Sequence, residues 1–225
     1  MHTVRRLFAP ALLTLALACS HAPSAQVANT APAPTAPDSV AASLLVDVRT
    51  LDSTISVEAR YATTNNFTGA ILPGYEANRA LLRREAAVAL ARVQARLRRE
   101  GLGLRIYDGY RPVRATLAMV SWAERSGNTW VLEQGYVARR SRHNQGVAVD
   151  LTLIDLASGV PLEMGTPFDT FAPSAHTANA TGLARDNRQR LKHAMEAEGF
   201  TNYDQEWWHY IYPAQDPVPF DLVIR

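Results

Sequence analysis

At residues 141–150 the chain reads Ser141-Arg142-His143-Asn144-Gln145-Gly146-Val147-Ala148-Val149-Asp150. From position 147 to position 153 apolar residues recur at every second place, and this period of two predicts a β-strand. Successive side chains of a strand point to opposite faces, so Asp150 lies on the face opposite the alternating valines and leucines. Gly146 allows the chain to turn before the strand begins. The segment therefore predicts a turn that carries a histidine, followed by a strand that carries a carboxylate.

A second segment, Glu206-Trp207-Trp208-His209, supplies another histidine and another carboxylate. Two histidines and one carboxylate are a common ligand set for a catalytic zinc ion, which keeps its fourth position for water. The sequence therefore predicts His143, Asp150 and His209 as zinc ligands. Positions three apart on one strand face opposite sides, so we expect Glu206 in the turn that leads into the strand of His209. From that turn its carboxylate could act on the zinc-bound water.

The pattern of the remaining chain predicts an α+β domain. Between positions 82 and 97 apolar residues are spaced by four, four, three and four, which is typical of an amphipathic helix. Helices are expected over 78–100, 113–125 and 184–198, and strands over 56–61, 104–107, 147–154 and 200–212. Short strands with an alternating polar face favour helices packed on a small, mostly antiparallel sheet. We expect the zinc site at the face of that sheet.

Arg111 follows the second of these strands, in the segment Asp108-Gly109-Tyr110-Arg111-Pro112. Glycine and proline fix a sharp exit from the strand, so the arginine is held on a stiff piece of backbone. Two interpretations stay open from the residues alone. The guanidinium is either an ordinary surface charge or a group aimed into a cleft.

Composition limits the classes of function. The chain has 225 residues, 47% of them apolar and 20% charged, with a formal charge of +2, which suits one globular domain of about 180 residues. Its arginines are spread along helices and form no basic stripe, so we expect no nucleic-acid partner. Neither a GxGxxG nor a P-loop pattern occurs, and nucleotide binding has no support.

Residues 1–19 have the layout of a secretory signal: Arg5 and Arg6, an apolar core over 7–17, and Ala18-Cys19-Ser20. Cys19 is the only cysteine, which excludes an intrachain disulfide, and the residues before it resemble a bacterial lipoprotein box. The alternative is an ordinary signal peptide cut beside an incidental cysteine, because Ala16 stands where the box usually has leucine. We expect export to the cell envelope or periplasm, with a lipid on Cys19 as the membrane contact.

Residues 20–43 are rich in Ala, Pro and Thr and are expected to be a tether before a domain over 44–225.

Several separated motifs resemble those of the D-alanyl-D-alanine dipeptidases of the VanX type. They are Asn65-Asn66-Phe67-Thr68-Gly69, Tyr107-Asp108-Gly109-Tyr110-Arg111-Pro112, Ser141-x-His143-x-x-Gly146-x-Ala148-x-Asp150-Leu151-Thr152-Leu153, Met164-Gly165-x-x-Phe168-Asp169 and Glu206-Trp207-Trp208-His209-Tyr210. The resemblance extends over the whole expected domain, from about Ser56 to Tyr212. It is specific because the motifs occur in the right order with matching internal spacing.

The resemblance implies one zinc ion per chain, held by the ligand set given above, and hydrolysis of the small dipeptide D-Ala-D-Ala. It implies that Glu206 is the catalytic acid and base and that Arg111 polarises the scissile carbonyl. Asp169 falls on the carboxylate that holds the free amino group of the substrate. Ser141 and Tyr110 are expected as further substrate-binding residues.

Two other functions remain open from the sequence. One is a D,D- or L,D-carboxypeptidase or endopeptidase that acts on peptidoglycan stem peptides, which would suit an exported, tethered location. The other is a non-catalytic binding module stabilised by zinc. Glu206 and Arg111 argue against the second, because a structural zinc site needs neither of them.

Overall fold

The computed structural model describes residues 1–2, 34–215 and 217–225. The predicted signal peptide, Cys19 and the tether as far as residue 33 lie outside the described residues, apart from the first two positions. From residue 34 onward the described chain forms one compact unit. Among the helices of the described part, none has the length and apolar character needed to cross a membrane.

Five α-helices and seven short strands make up this unit. The helices are α1 (Asp38–Leu44), α2 (Arg84–Arg98), α3 (Val113–Arg125), α4 (Trp130–Glu133) and α5 (Gly182–Glu196). The strands are β1 (Leu45–Asp47), β2 (Ser56–Val57), β3 (Leu81–Arg83), β4 (Leu102–Asp108), β5 (Ala148–Asp155), β6 (Thr201–Asn202) and β7 (His209–Ile211). Short 3-10 helices fill several connections, among them Arg142–Gln145 directly before β5.

The main sheet has five strands in the order β2-β4-β5-β7-β6. Only β2 and β4 are parallel, and the other three pairings are antiparallel. A separate antiparallel pair joins β1 to β3. The predicted fold class, an α+β domain with a small and mostly antiparallel sheet, is confirmed.

The core lies between one face of this sheet and helices α2 and α5. Val149, Leu151 and Leu153 of β5 are fully buried there with Leu90 of α2 and Leu191 of α5. Burial of such a side chain contributes about 1.5 to 3 kcal/mol to stability. The alternation in the sequence therefore assigns this face of β5 to the core and leaves Asp150 on the opposite face.

Several element boundaries differ from the predictions because pairing partners override the local pattern. Residues 81–83, expected inside a helix, form β3 and pair with β1, so α2 begins only at Arg84. The strand expected over 56–61 is two residues long and gives way to the 3-10 helix Arg60–Ala62. The last strand is divided into β6 and β7 by a turn, and the one-turn helix α4 lies where no helix was predicted.

The domain begins earlier than the predicted boundary at residue 44. Helix α1 lies mostly within the stretch expected to be tether, and its Ala41 is fully buried. The backbone N–H of Ala36 donates to the carbonyl of Pro219 at 3.0 Å. Alanine and proline are typical of tethers, but alanine also favours helices and packs closely, so composition alone placed the boundary too late.

Gly146 provides a test of how tightly the chain packs before β5. It has a φ of +68°, and a Cβ added there would lie 2.5 Å from Cδ2 of Leu45. Gly101 has a similar φ of +73° with open space around it. We expect Gly101→Ala to cost about 1 to 2 kcal/mol, because only the backbone is strained. Gly146→Ala should cost about 1 to 3 kcal/mol more because of overpacking. Urea unfolding measures both, and equal losses would contradict this packing.

Candidate active site

The two histidines and the aspartate predicted as ligands lie together beside the main sheet. The three closest pairs of atoms are His209 Nδ1 and Asp150 Oδ1 at 2.9 Å, His143 Nε2 and His209 Nδ1 at 3.1 Å, and His143 Nε2 and Asp150 Oδ1 at 3.3 Å. Asp150 and His209 are direct partners in the β5–β7 register. His143 reaches them from the 3-10 helix that precedes β5. One possible ligand atom from each of these three elements therefore lies close to the other two.

The chemistry of these donors fits zinc. Bonds of about 2.0 to 2.2 Å in a tetrahedral site place ligand atoms about 3.3 to 3.5 Å apart, slightly more than the separations here. The Nδ1 of His143 lies 2.7 Å from the carbonyl oxygen of Gly109. A carbonyl only accepts, so Nδ1 carries the proton and Nε2 turns its lone pair to the cluster. Burial lowers the pKa of His209, which favours the neutral ring that a metal requires.

Asp150 supplies the negative charge of this group. Burial opposes ionisation of its carboxyl, but His143 and His209 outweigh burial and hold its pKa well below the usual range. The carboxylate is 3% exposed and has both histidines within hydrogen-bond or ion-pair distance. A buried carboxylate between two imidazoles is the anionic ligand that a divalent cation needs.

The turn that carries His143 is fixed at both ends. The Oγ of Ser141 accepts from the backbone N–H of His143 at 3.2 Å, and the side chain of Asn144 accepts from the N–H of Ser141. This reciprocal capping orders the start of the 3-10 helix. The backbone N–H of Arg111 then donates to the carbonyl of His143 at 3.1 Å. The histidine is therefore oriented through its ring and through its own backbone.

Glu206 lies in the turn between β6 and β7, as predicted. Its Oε2 is 3.9 Å from Nδ1 of His209, and its side chain is buried at the wall of the cavity described below. The amide of Asn202 donates to the backbone carbonyl of Glu206 at 3.0 Å and holds the turn. Burial raises the pKa of Glu206 well above its usual value, and the negative charges of Asp150 and Asp169 add to this effect. The group is thus suited to take up a proton beside the ligand set.

Arg111 is buried beside the ligands, which excludes the interpretation as a surface charge. Its Nε donates to Oδ2 of Asp108 at 2.9 Å, and its Nη2 is 3.7 Å from Oδ2 of Asp150. The guanidinium carbon lies 5.1 Å from the ring centre of Tyr61. Burial opposes the charge, but Asp108 and the neighbouring acids raise the pKa of Arg111 well above its usual value. A permanent positive charge therefore faces the cavity.

Asp169 reaches the same cavity from the loop after β5. The hydroxyl of Tyr61 donates to its carboxylate, with distances of 3.1 and 3.2 Å to the two oxygens. Asp169 is the one non-glycine residue with a positive φ in the described chain, at +61°. Such backbone strain persists where the surrounding structure imposes it, often at functional sites. Burial, followed by the charge of Asp150, raises the pKa of Asp169 well above its usual value.

Tyr110 does not line the cavity, so the structure gives no support to its predicted role in substrate binding. It is 1% exposed, and its hydroxyl donates to the backbone carbonyl of Leu222 at 3.0 Å. Its ring packs near Phe220 in the second hydrophobic core of the described residues. By contrast, Ser141 does line the cavity.

The cavity has a volume of about 260 Å³ and holds all the other predicted site residues. This lies just below the usual range of about 300 to 1,000 Å³ for ligand pockets, which suits a small substrate. An apolar wall completes it, formed by Phe67, Met119, Tyr136, Phe171 and Ile211. No role was predicted for these residues, for Tyr61 or for Asp108, although Phe67 belongs to one of the motifs quoted above. Asp108 opens the motif that contains Arg111, whereas the wall comes from distant segments that share no local pattern.

Comparisons with known proteins agree with this geometry. The family model described as "D-ala-D-ala dipeptidase", Peptidase_M15, matches residues 41–221. The chain belongs to this family. The family consists of zinc metallopeptidases, so the chain is an enzyme of that class.

The relatives include D-alanyl-D-alanine dipeptidases from several bacteria. One from Enterococcus faecium is 37% identical over 187 residues, which cover 75% of this chain and 92% of the relative. One from Escherichia coli K12 is 33% identical over 177 residues, which cover 78% of this chain and 88% of the relative. A solved structure of the LD-carboxypeptidase LdcB aligns at a TM-score of 0.41 with 21% identity, covering 60% of this chain and 61% of that one. This structural likeness is too weak to bear on function.

We predict that His143→Ala and His209→Ala lose bound zinc, because each removes one of three converging donors. The wild-type protein should gain thermal stability when zinc is added, since a ligand at 1,000 times its Kd stabilises the folded state by about 4.1 kcal/mol. His193→Ala is the matched control, because His193 is exposed on α5. Metal analysis after dialysis and thermal melts with and without zinc check this. Wild-type zinc content in either ligand variant would refute the assignment.

Proposed function

We propose that this enzyme is a zinc-dependent dipeptidase that hydrolyses D-Ala-D-Ala, with Glu206 and Arg111 as its catalytic residues. The observation that carries the proposal is a single small cavity in which the ligand set, Glu206, Arg111 and Asp169 all meet. These groups match the parts that amide hydrolysis requires: a metal site, a proton carrier, a cation for the developing oxyanion and an anchor for the substrate.

The metal would be held by His143, Asp150 and His209. When bound, zinc supplies a water whose pKa is lowered to about 7 and polarises the scissile carbonyl. The carboxylate of Glu206 accepts a proton from the attacking water as the new C–O bond forms. It then delivers that proton to the amide nitrogen as the C–N bond breaks, releasing two D-alanine molecules. General acid and base catalysis of this kind contributes about 10²- to 10⁴-fold.

Arg111 acts on the carbonyl oxygen. As water adds, negative charge develops on this oxygen, and a fixed guanidinium in a buried site stabilises it without reorganising. Asp108 supports this role because its carboxylate holds the guanidinium at 2.9 Å and so fixes its direction. Arg111 also compensates part of the negative charge that Asp150 contributes to the site.

Asp169 supplies the anchor for the free amino group. A dipeptide differs from the end of a longer chain by an ammonium one residue from the scissile bond. A carboxylate at that distance makes a charge-assisted hydrogen bond worth about 1.5 to 3 kcal/mol. An acylated amine would leave the carboxylate unpaired, which costs at least about as much again. This buried carboxylate in a small cavity favours a dipeptidase over a carboxypeptidase or endopeptidase acting on stem peptides.

We predict that D-Ala-D-Ala is cleaved about 10²- to 10⁴-fold more efficiently than N-acetyl-D-Ala-D-Ala, the value expected from about 3 to 6 kcal/mol at 1.4 kcal/mol per decade. Asp169→Asn should reduce kcat/KM for the free dipeptide much more than for the acetylated one. Steady-state kinetics on both substrates measure the ratio. Similar kcat/KM values for the two substrates in the wild type would exclude the dipeptidase function and favour the carboxypeptidase function.

We predict that Glu206→Gln binds zinc normally but loses about 10²- to 10⁴-fold in kcat, because the ligands stay while the proton acceptor is gone. Glu198→Gln is the matched control, since Glu198 pairs with Arg92 and Arg96 away from the cavity. Zinc analysis and turnover of D-Ala-D-Ala are measured on the same samples. Near wild-type turnover in the Glu206 variant would exclude this residue from the mechanism.

We further propose that the enzyme is exported and carries a lipid on Cys19. The support is the sequence alone: a basic start, an apolar core, and a lone cysteine where such segments are cleaved. One acyl chain binds membranes only marginally, so stable anchoring would take the several chains of a bacterial lipoprotein.

We predict that Cys19→Ala moves the protein from the membrane fraction to the soluble fraction or blocks its maturation. Fractionation of cells that express each form, with mass spectrometry of the mature N-terminus, checks this. A mature N-terminus elsewhere, or an unmodified Cys19, would instead favour the ordinary signal peptide.

A further inference from the structure

Arg188 is a fully buried arginine whose side chain binds only backbone carbonyls. It lies on α5, and its Nε donates to Met164 at 2.7 Å, its Nη1 to His176 at 2.7 Å and its Nη2 to Ser174 at 3.0 Å. Within the described chain its nitrogens form no ion pair with a carboxylate, although the charge of Glu163 acts on it from farther away. Buried arginines are usually paired with an acid, so this arrangement needs a reason of its own.

The three carbonyls belong to the two ends of one loop. Met164 precedes the loop 165–173, and Ser174 and His176 follow it. Asp169 lies in the middle of this loop, 3.1 Å from the hydroxyl of Tyr61. One planar guanidinium therefore closes the segment that presents the proposed anchor for the substrate. We call Arg188 with these three carbonyls the clasp.

The surrounding residues are adapted to the clasp. Gly165 has a φ of +84°, and a Cβ added there would lie 3.2 Å from Nη2 of Arg188. The guanidinium carbon is 5.9 Å from the ring centre of Trp207, whose Nε1 donates to Oγ1 of Thr166 at 2.9 Å. Trp207 directly follows Glu206 in the chain. The clasp thus links the Asp169 loop to the turn that carries the proposed proton carrier.

We propose that Arg188 is a positioning residue for substrate specificity: the clasp holds the Asp169 carboxylate where the ammonium of the dipeptide binds. This inference rests on the proposed function and extends it to a residue that touches no substrate. The φ of +61° at Asp169 lies in the left-handed region, which aspartate adopts only occasionally, so the surrounding loop must hold it there. Three hydrogen bonds from one rigid fork provide such a constraint before the substrate arrives.

A role in stability alone predicts a different result. If Arg188 only stabilised the fold, its loss would reduce activity on every substrate equally, through the fraction of unfolded protein. Positioning of Asp169 predicts a selective loss, confined to substrates with a free ammonium. Gln94→Met is the matched control. Gln94 is fully buried on α2 and also connects separate segments, through Leu104 and Thr54, but it lies outside the cavity.

The first experiment measures kcat/KM for D-Ala-D-Ala and N-acetyl-D-Ala-D-Ala in wild type, Arg188→Met, Arg188→Lys and Gln94→Met, well below each melting temperature. Displacement of a reacting or binding group by about 1 Å costs about 10²-fold. We therefore expect the ratio of the two kcat/KM values to fall about 10- to 100-fold in Arg188→Met, with zinc content unchanged. The ratio for Arg188→Lys should lie between those of the wild type and Arg188→Met, because one ammonium cannot reach all three carbonyls. An unchanged ratio overturns the proposal, whether activity on both substrates falls by the same factor or stays at the wild-type value.

A second measurement separates the clasp from the proposed function. Amide hydrogen exchange of loop 165–173, without any substrate, should speed up about 10-fold or more in Arg188→Met. Arg188→Lys should act in the same direction to a smaller extent, whereas Gln94→Met should not. Unchanged exchange in Arg188→Met overturns the clasp. If the wild-type enzyme does not prefer the free dipeptide to the acetylated one, the proposed dipeptidase function is refuted. That conclusion is independent of the hydrogen-exchange result.

Discussion

The active site depends on the pairing of β5 with β7, which places Asp150 directly opposite His209. Asp150 and His209 meet at 2.9 Å because they are register partners on neighbouring strands. A slip of one residue would turn Asp150 into the core and Val149 into the cavity. The burial of alternate β5 side chains against α2 and α5 prevents such a slip. The packing of the core therefore also fixes the positions of Asp150 and His209 relative to each other.

The pairing of β5 with β4, its other neighbour in the sheet, positions Arg111 and His143. Its pairing with β4 ends at Asp108, which holds Arg111 at 2.9 Å and also receives the hydroxyl of Tyr75 at 2.6 Å. The next residue, Gly109, offers its carbonyl to His143. Thus the end of β4 orients both the cation of the site and one of its histidines. Outer contacts of this kind orient metal ligands and commonly tune metal affinity by 10- to 100-fold.

The charges of the cavity explain what it is suited to bind. Asp108, Asp150, Asp169 and Glu206 gather near the buried guanidinium of Arg111, and the less buried Arg140 and Arg142 also line the cavity. In a buried site this excess of negative charge is unfavourable, which is why burial and neighbouring acids raise the pKa of Asp169 and of Glu206. A divalent cation and the ammonium of a substrate supply the opposite charge. Binding of a metal ion and of an ammonium group in this cavity is therefore electrostatically favourable.

The sequence allowed the grouping of His143, Asp150 and His209 and the position of Glu206 to be predicted, because each motif is short and its strand period is clear. Prediction failed where the partner is distant in the chain. Tyr110 looked like a site residue beside Arg111, but its hydroxyl binds the backbone of Leu222, which no local pattern connects to it. Arg188 could not be distinguished in sequence from the other arginines of α5, since its partners come from a loop. The early start of the domain was missed because alanine suits both a tether and a packed helix.

The central claim is that one cavity holds zinc on His143, Asp150 and His209 and binds the ammonium of a dipeptide at Asp169. The most direct measurement is a crystal structure of Glu206→Gln with zinc and D-Ala-D-Ala, including an anomalous difference map at the zinc edge. We predict one zinc peak about 2.0 to 2.2 Å from one atom of each ligand and the ammonium within hydrogen-bond distance of Asp169. A zinc peak on other residues, or a dipeptide whose ammonium points to solvent, would contradict it.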